Sequence, residues 1–314
     1  MNWSYSAAKA FTGCQKLWYY RHILASSRSS IPIEHEAYVL SKLQSLSAWR
    51  GQLVDQVITQ RLIPALNRGE TPTLKALLRE ARDIFDAQLA FGLAHRVREP
   101  GMRSSKAAPI FAAFFNVEYG LAIPQESVDQ AWCEIRASFT ALFSMSEVRA
   151  RLRNASYRVA QRKLWFDLDG IKVRAVPDVL VFSDAGPPLI VDWKVHATAS
   201  RDYRLQLTLY ALALTRSKSH ADFPSSLEAF SPTQIDLLEA QLLTGTARQF
   251  VLDDADVLEA QNYVAETSNE MTLALRMDTE GPLRPDDFES THFPGQCERC
   301  SFRKICWEAT NGVA

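Results

Sequence analysis

Long apolar runs are missing from this 314-residue chain. The longest candidate, LTLYALAL at 207–214, is far too short to span a bilayer. An excess of one charge is missing as well, since 35 Lys and Arg face 36 Asp and Glu, for a net charge of −1. That removes a global basic signature for nucleic acid but leaves room for a local basic groove on a neutral protein. The start, MNWSYSAAKAFTGCQKLWYY, lacks the basic opening and apolar stretch of a signal peptide, so a cytoplasmic location is expected. Internal repeats, low-complexity segments and a clear linker are also lacking. Cysteine is scarce, and an odd count of five argues against a disulfide framework.

What is present is a globular composition, 47% apolar and 23% charged, sufficient to bury a sizeable core. Residues 3–24 read as an aromatic-rich helix, followed by the Ser-rich loop ASSRSSIP. From about 35 to 160 helical patterns dominate, with apolar positions near 3.6-residue spacing in AWRGQLVDQVITQRLIPAL and LKALLREARDIFDAQLAFGLA. Two basic clusters, HRVREPGMRSSK (95–106) and RARLRNASYRVAQRK (149–163), read as solvated helix faces and loops. Cys133 falls on what reads as the buried face of a helix and is assigned to the core.

The texture changes at Lys163. Two β-rich runs flank Asp169-Gly170, a hairpin signal, and DAGPP then leads into a further strand, LIVDWKV. RDYRLQLTLYALALTRS has helical spacing, QIDLLEAQLL and RQFVLD read as strands joined by TGTA, and a helix begins near Asp253 or Asp254. These patterns predict one α/β domain over 1–314. Its parts are a mainly helical stretch (1–160), a core with a mixed central sheet flanked by helices (161–215), and a C-terminal hairpin, helix and cysteine segment (216–314).

Inside VPDVLVFSDAGPPLIVDWKVHAT (176–198) an apolar strand pair carries Asp178, Asp192 and Lys194. Residues two apart on a strand share a face, so Asp192 and Lys194 point together and Trp193 points away. The intervening turn brings Asp178 beside Asp192. Two carboxylates side by side repel unless a cation lies between them, and a hard divalent ion takes such oxygen ligands. With a lysine alongside, these are parts for metal-assisted phosphodiester hydrolysis. The alternative is an ordinary ion pair between Asp192 and Lys194 at a strand end.

Pro177-Asp178, a turn, then Asp192-Trp193-Lys194 resembles the core motif of the PD-(D/E)XK nuclease superfamily. Gln206 and Tyr210, i and i+4 on the next helix, resemble the Q-x-x-x-Y of its RecB-type branch. That resemblance implies metal ligation by Asp178 and Asp192, Mg2+ or Mn2+ as cofactor, a water-positioning role for Lys194, and a further ligand in the Val195 carbonyl. It implies substrate contacts near the scissile phosphate for Gln206 and Tyr210. The branch carries histidine in a G-x-x-x-H helix, whereas this chain has Gly51 followed by Asp55. Aspartate also ligates Mg2+, which makes Asp55 a third candidate ligand, or else marks a degenerate site.

Cys297-x2-Cys300-x5-Cys306, with Cys14 far upstream, resembles the cluster arrangement of iron–sulfur RecB-type nucleases, such as AddB-type subunits and CRISPR-associated exonucleases. It implies a [4Fe-4S] cluster on Cys14, Cys297, Cys300 and Cys306; four-thiolate Zn2+ is the alternative. The function so implied is a DNA exonuclease acting on single strands or ends. The alternative is a non-cutting DNA-binding or scaffold subunit of a repair or defence complex. No P-loop is present, so any helicase partner is expected on a separate chain. Aromatics such as Trp18, Tyr19 and Tyr20 are assigned to packing around the cluster, with stacking on bases as the alternative, and His196 and His292 are given no role.

Overall fold

A computed structural model describes residues 2–184, 186–195, 203–218, 220–224, 227, 229–275 and 282–307. A two-residue strand, β1 (Asn2–Trp3), leads into α1 (Tyr5–Gly13), whose first turn is capped by Ser4 accepting from the Ala7 amide. The single helix read over 3–24 is broken. The backbone is extended at Cys14, whose sulfur caps a short helix, Gln15–Trp18, and a π-helical turn, Tyr19–Leu24, follows. The break turns the Cys14 side chain out of the helical repeat.

Next come α2 (Pro32–Ser41), α3 (Leu46–Val57), α4 (Leu74–Leu93), α5 (Gln125–Ser144) and α6 (Ser146–Asn154). Ser45 and Thr73 accept from the third helical amides of α3 and α4, so a side chain found just before each apolar repeat starts each helix. Among the described residues no helix is long and apolar enough to cross a membrane.

The strands β2 (Tyr157–Ala160), β3 (Leu164–Leu168), β4 (Ile171–Ala175), β5 (Val179–Phe182), β6 (Leu189–Lys194), β7 (Asp236–Gln241) and β8 (Thr246–Phe250) build two mixed sheets instead of one. The hairpin β3–β4 turns at Asp169-Gly170, both at positive φ, as expected of a two-residue turn, and pairs with β1 in the order β1-β4-β3. The larger sheet runs β2-β5-β6-β7-β8, with β6 and β7 parallel and the other pairs antiparallel.

Both faces of the larger sheet are covered, so β5 is buried along its whole length and β6 to its last residue. Val179, Val181, Leu189, Val191 and Trp193 pack against α3–α6. Leu180, Phe182 and Ile190 pack against α7 (Tyr203–Arg216), with the small sheet and α8 (Asp254–Leu275) beyond. This mixed α/β arrangement, helices on both faces of a mixed sheet, is restriction-endonuclease-like.

Two further readings from the sequence are corrected. Cys133 is exposed, on the outer side of α5. The 149–163 basic run is not simply a solvated face. It contains β2, and Arg158 is buried, donating to the carbonyls of Leu152, Arg153, Ala155 and Leu66. Its guanidinium satisfies carbonyls that the end of α6 leaves without amide partners, so a cation serves there as a cap.

Candidate active site and cysteine cavity

Strand order alone gathers the acidic residues. In the antiparallel pair β5–β6, Val179 stands opposite Val191, and one step further Asp178 faces Asp192. Both belong to the face covered by α7, as does Lys194, while Trp193 turns into the opposite core. Asp178 Oδ2 accepts from the Trp193 amide at 2.9 Å, which ties the start of β5 to the end of β6. Lys194 Nζ lies 2.5 Å from Asp192 Oδ2 and also donates to Gln206 Oε1 at 3.4 Å. Gln206 Nε2 donates in turn to the Tyr210 hydroxyl at 2.7 Å. A continuous polar chain therefore runs Asp192–Lys194–Gln206–Tyr210, and it orients Tyr210, whose own hydrogen remains to be donated elsewhere.

Asp55 joins from the other side. It sits on the last turn of α3, four residues after Gly51, whose missing side chain leaves space 3.9 Å from Val195 Cβ. A residue that the motif reasoning did not single out makes the link. Gln161, at φ 52° just after β2, donates through Nε2 to both Asp55 oxygens (3.0 and 3.2 Å) and to Asp178 Oδ1 (3.0 Å). Its sequence signal was faint, a lone Gln inside a basic run. The Val195 carbonyl, assigned above as a ligand, accepts from Arg50 Nη2 at 2.5 Å, and Arg50 is also ion-paired with Glu134.

The electrostatics are those of too many buried negative charges. Burial, then the charge of Asp192, pushes the Asp55 carboxyl up to about 6, although its hydrogen bond from Gln161 pulls the other way. Burial and Asp55 raise Asp178; burial and Asp178 raise Asp192, with Glu239 adding to the effect. Burial works against the Lys194 ammonium, yet the charge and hydrogen bond of Asp192 together with the charges of Asp178 and Tyr203 more than offset it, and the lysine stays protonated. Three carboxylates against one ammonium is a donor set of hard oxygens short of positive charge, which suits a divalent cation in kind. As they stand, no three His, Cys, Asp or Glu side chains among the described residues are drawn close enough to hold an ion.

Cys14, Cys297, Cys300 and Cys306 all line one open cavity of about 970 Å³. The C-terminal segment is brought there by aromatic contacts: Phe288 stacks on Tyr19 and Phe302 on Tyr20, while the Tyr20 hydroxyl donates to the Ile305 carbonyl. Trp18, Tyr19 and Tyr20 are thus buried packing residues at this seam. Amides of Leu17 and Phe302 donate to the sulfurs of Cys14 and Cys300 at 3.4 Å. Burial raises the thiols of Cys297, Cys300 and Cys306, the last to about 11, and the mutual charge of neighbouring sulfurs contributes. Thiols gathered in this way ionise together only when a metal compensates them, so the set fits a soft metal or cluster in kind. The same cavity is lined by Arg21, Lys42, Arg299 and Arg303, and among the described residues no carboxylate lines it. His292 is at the surface, and His196 lies outside the described residues.

Comparison with known proteins agrees with this reading at the level of the family. No curated protein matches. Among solved structures, "Crystal structure of SSO0001" aligns with 13% identity over 73% of this chain and 96% of that one, at a TM-score of 0.30. A Vibrio cholerae protein, VC1899, aligns with 12% identity over 74% of this chain and 57% of that one, at 0.23. Likenesses this remote carry no argument. The family model is different in extent, for it matches residues 2–307, from β1 past the last cysteine. The chain belongs to the PD-(D/E)XK nuclease superfamily.

Proposed function

We propose that this nuclease-superfamily protein is a Mg2+- or Mn2+-dependent DNA exonuclease of the RecB-type branch, acting on single strands or DNA ends. The observation that carries the reading is the placement of Asp178 and Asp192 beside Lys194, with Asp55 tied to Asp178 through Gln161 and negative charge left uncompensated. Asp178 and Asp192 would hold the metal, with Asp55 as a further ligand. Bound there, a divalent ion supplies Lewis-acid polarisation of a phosphate oxygen and a nucleophilic water at neutral pH.

The chain's own residues do the rest. Lys194, kept protonated, is suited to donate to a phosphate oxygen or to stabilise charge developing on it. Tyr210, with its hydroxyl fixed by Gln206, offers a hydrogen toward substrate; Gln206 and Tyr210 open on a cavity of about 180 Å³ that Tyr5, Ser6 and Arg174 also line. Gln161 keeps Asp55 and Asp178 at a set separation. The cations of the cysteine cavity supply the local positive surface that a net charge of −1 does not predict, and they support DNA as substrate. Cys14, Cys297, Cys300 and Cys306 would carry a [4Fe-4S] cluster joining the two ends of the chain, with Zn2+ as the competing occupant.

The test is to purify the protein anaerobically, record its visible spectrum and metal content, and incubate it with end-labelled single-stranded DNA and Mg2+ or Mn2+. Brown protein whose cutting is lost in Asp192→Ala is expected. Colourless zinc-containing protein would sink the cluster assignment. Brown protein that binds DNA but never cuts would sink the enzyme and leave the scaffold reading.

A further inference from the structure

Glu239 and Gln241 lie on β7 at the register positions of Asp192 and Lys194 on parallel β6. Their parity is that of Leu237, which packs on the α7 side, whereas Leu238, Ala240 and Leu242 face the opposite core. The two pairs therefore stand side by side on one face of the sheet. Glu239 is 0% exposed and Gln241 6%. Part of Glu239 is accounted for: Oε1 accepts from Arg248 Nη2 across the β7–β8 ladder at 3.2 Å, and also from Gln241 Nε2. Two acceptors are not, for Glu239 Oε2 and Gln241 Oε1 are buried with no donor among the described residues.

A buried acceptor without a partner costs roughly 1–3 kcal/mol, and two together on one strand call for a reason. A cross-strand Glu–Arg pair needs neither the second carboxylate oxygen nor the amide oxygen. The donor at hand is the neighbouring ammonium. Lys194 is a point charge on a flexible four-carbon stem, and it can reorient without moving the backbone. Its present contact also competes with the chemistry proposed above. The Asp192 oxygen that accepts from Lys194 at 2.5 Å is not free for a cation, and a cation on Asp192 would repel an ammonium held there.

We propose that Glu239 and Gln241 form a second berth for the Lys194 ammonium, taken up when Asp192 turns to a divalent cation, and that they position this lysine for the reaction. The inference rests on the metal-dependent reading of the site. In the resting arrangement Lys194 shields Asp192; with metal bound, it keeps its Gln206 contact, exchanges Asp192 for the two orphaned oxygens, and stays beside the scissile group.

The experiment is a double-mutant cycle read by Mn2+ binding, with free Mn2+ followed by electron paramagnetic resonance. Gln241→Leu removes an acceptor without changing charge and is expected to weaken Mn2+ binding roughly tenfold, the scale of a hydrogen bond to a charged group. In a Lys194→Met background, where no ammonium needs a berth, the same substitution is expected to do nothing. Gln241→Glu, which keeps an acceptor, restores binding. Equal weakening in both backgrounds, or none in either, overturns the proposal. Should Gln241→Leu fail to fold by circular dichroism, Gln241→Met, also uncharged, lacking a strong acceptor and closer to glutamine in shape, takes its place in the cycle with the same criterion. Wild-type protein that shows the coupling yet cuts no DNA sinks the nuclease reading alone; cutting without coupling sinks the berth alone.

Discussion

Two clusters of carboxylates and cations in this molecule behave in opposite ways. Glu36 and Glu118 share Arg98 and Lys304, and His95 adds a ring nitrogen 2.9 Å from Glu118. Hydrogen bonding from Arg98 holds Glu36 down to about 2, and burial of Glu118 is overcome by Arg98 and Lys304 so that it too is lowered. At Asp55, Asp178 and Asp192 the carboxyls go up instead. Burial acts on both clusters; the count of cations separates them, two for two carboxylates in one and one for three in the other. Balanced charge is what a structural tie needs, and here it fastens the Lys304 segment, between Cys300 and Cys306, to α2 and to the Phe115–Glu118 turn. Unbalanced charge is held only by the rest of the fold, and it is where a cation has most to offer.

The largest expected effect falls on the unbalanced cluster. Asp192→Ala or Lys194→Met should lower the DNA cleavage rate by roughly 10³-fold or more, the scale of a lost catalytic group, in initial rates with Mg2+. The same kind of change in the balanced cluster should act on folding instead. Glu118→Gln is expected to lower unfolding free energy by about 2–3 kcal/mol in urea titration. That is less than for a fully buried pair, because Arg98 and Lys304 side chains remain 30% and 32% exposed. Cleavage lost through Glu118→Gln with unchanged stability would erase the distinction between the two clusters.

Metal should separate them further. Mn2+ at about 100 times its Kd should stabilise the protein by about 2.7 kcal/mol in thermal unfolding, and Asp178→Asn should abolish that gain while Glu118→Gln keeps it. pH should divide the clusters by sign. A carboxyl raised to about 6, as at Asp55, binds its proton more tightly in the folded state, so metal-free stability falls as pH rises through the window from 3.8 to about 6. Glu36, held near 2, contributes stability present above 4.5 and lost as pH falls toward 2. Metal-free protein should therefore be most stable on the acid side of neutrality, and Asp192→Asn should flatten the alkaline limb of a melting-temperature profile. The smallest effect is expected at exposed Cys133, where serine should change stability by less than about 0.5 kcal/mol.

Much of the fold is legible in local pattern. The hairpin at Asp169-Gly170, the strands around 189–194 and 236–250, and the helix carrying Gln206 and Tyr210 follow from it, because alternation, turn residues and 3.6-residue spacing are local consequences of backbone geometry. So does the acidic pair with its lysine, since period-two geometry puts Asp192 and Lys194 on one face wherever the strand lies. β2 is not legible, being four residues inside a basic run with an arginine turned inward. Nor is the exposure of Cys133, which depends on which side of an amphipathic helix its neighbours cover.

Residue order is thus enough for the family, the strand-borne carboxylates and lysine, and the four cysteines near the chain's ends. Three-dimensional packing was needed for β6 to pair with β7 in parallel, setting Glu239 and Gln241 beside Asp192 and Lys194. It was needed too for Gln161 to bridge Asp55, 106 positions away in the chain, to Asp178. Such pairings are chosen by how whole faces bury against one another, and local pattern does not encode which distant polar group will arrive at a given carboxylate.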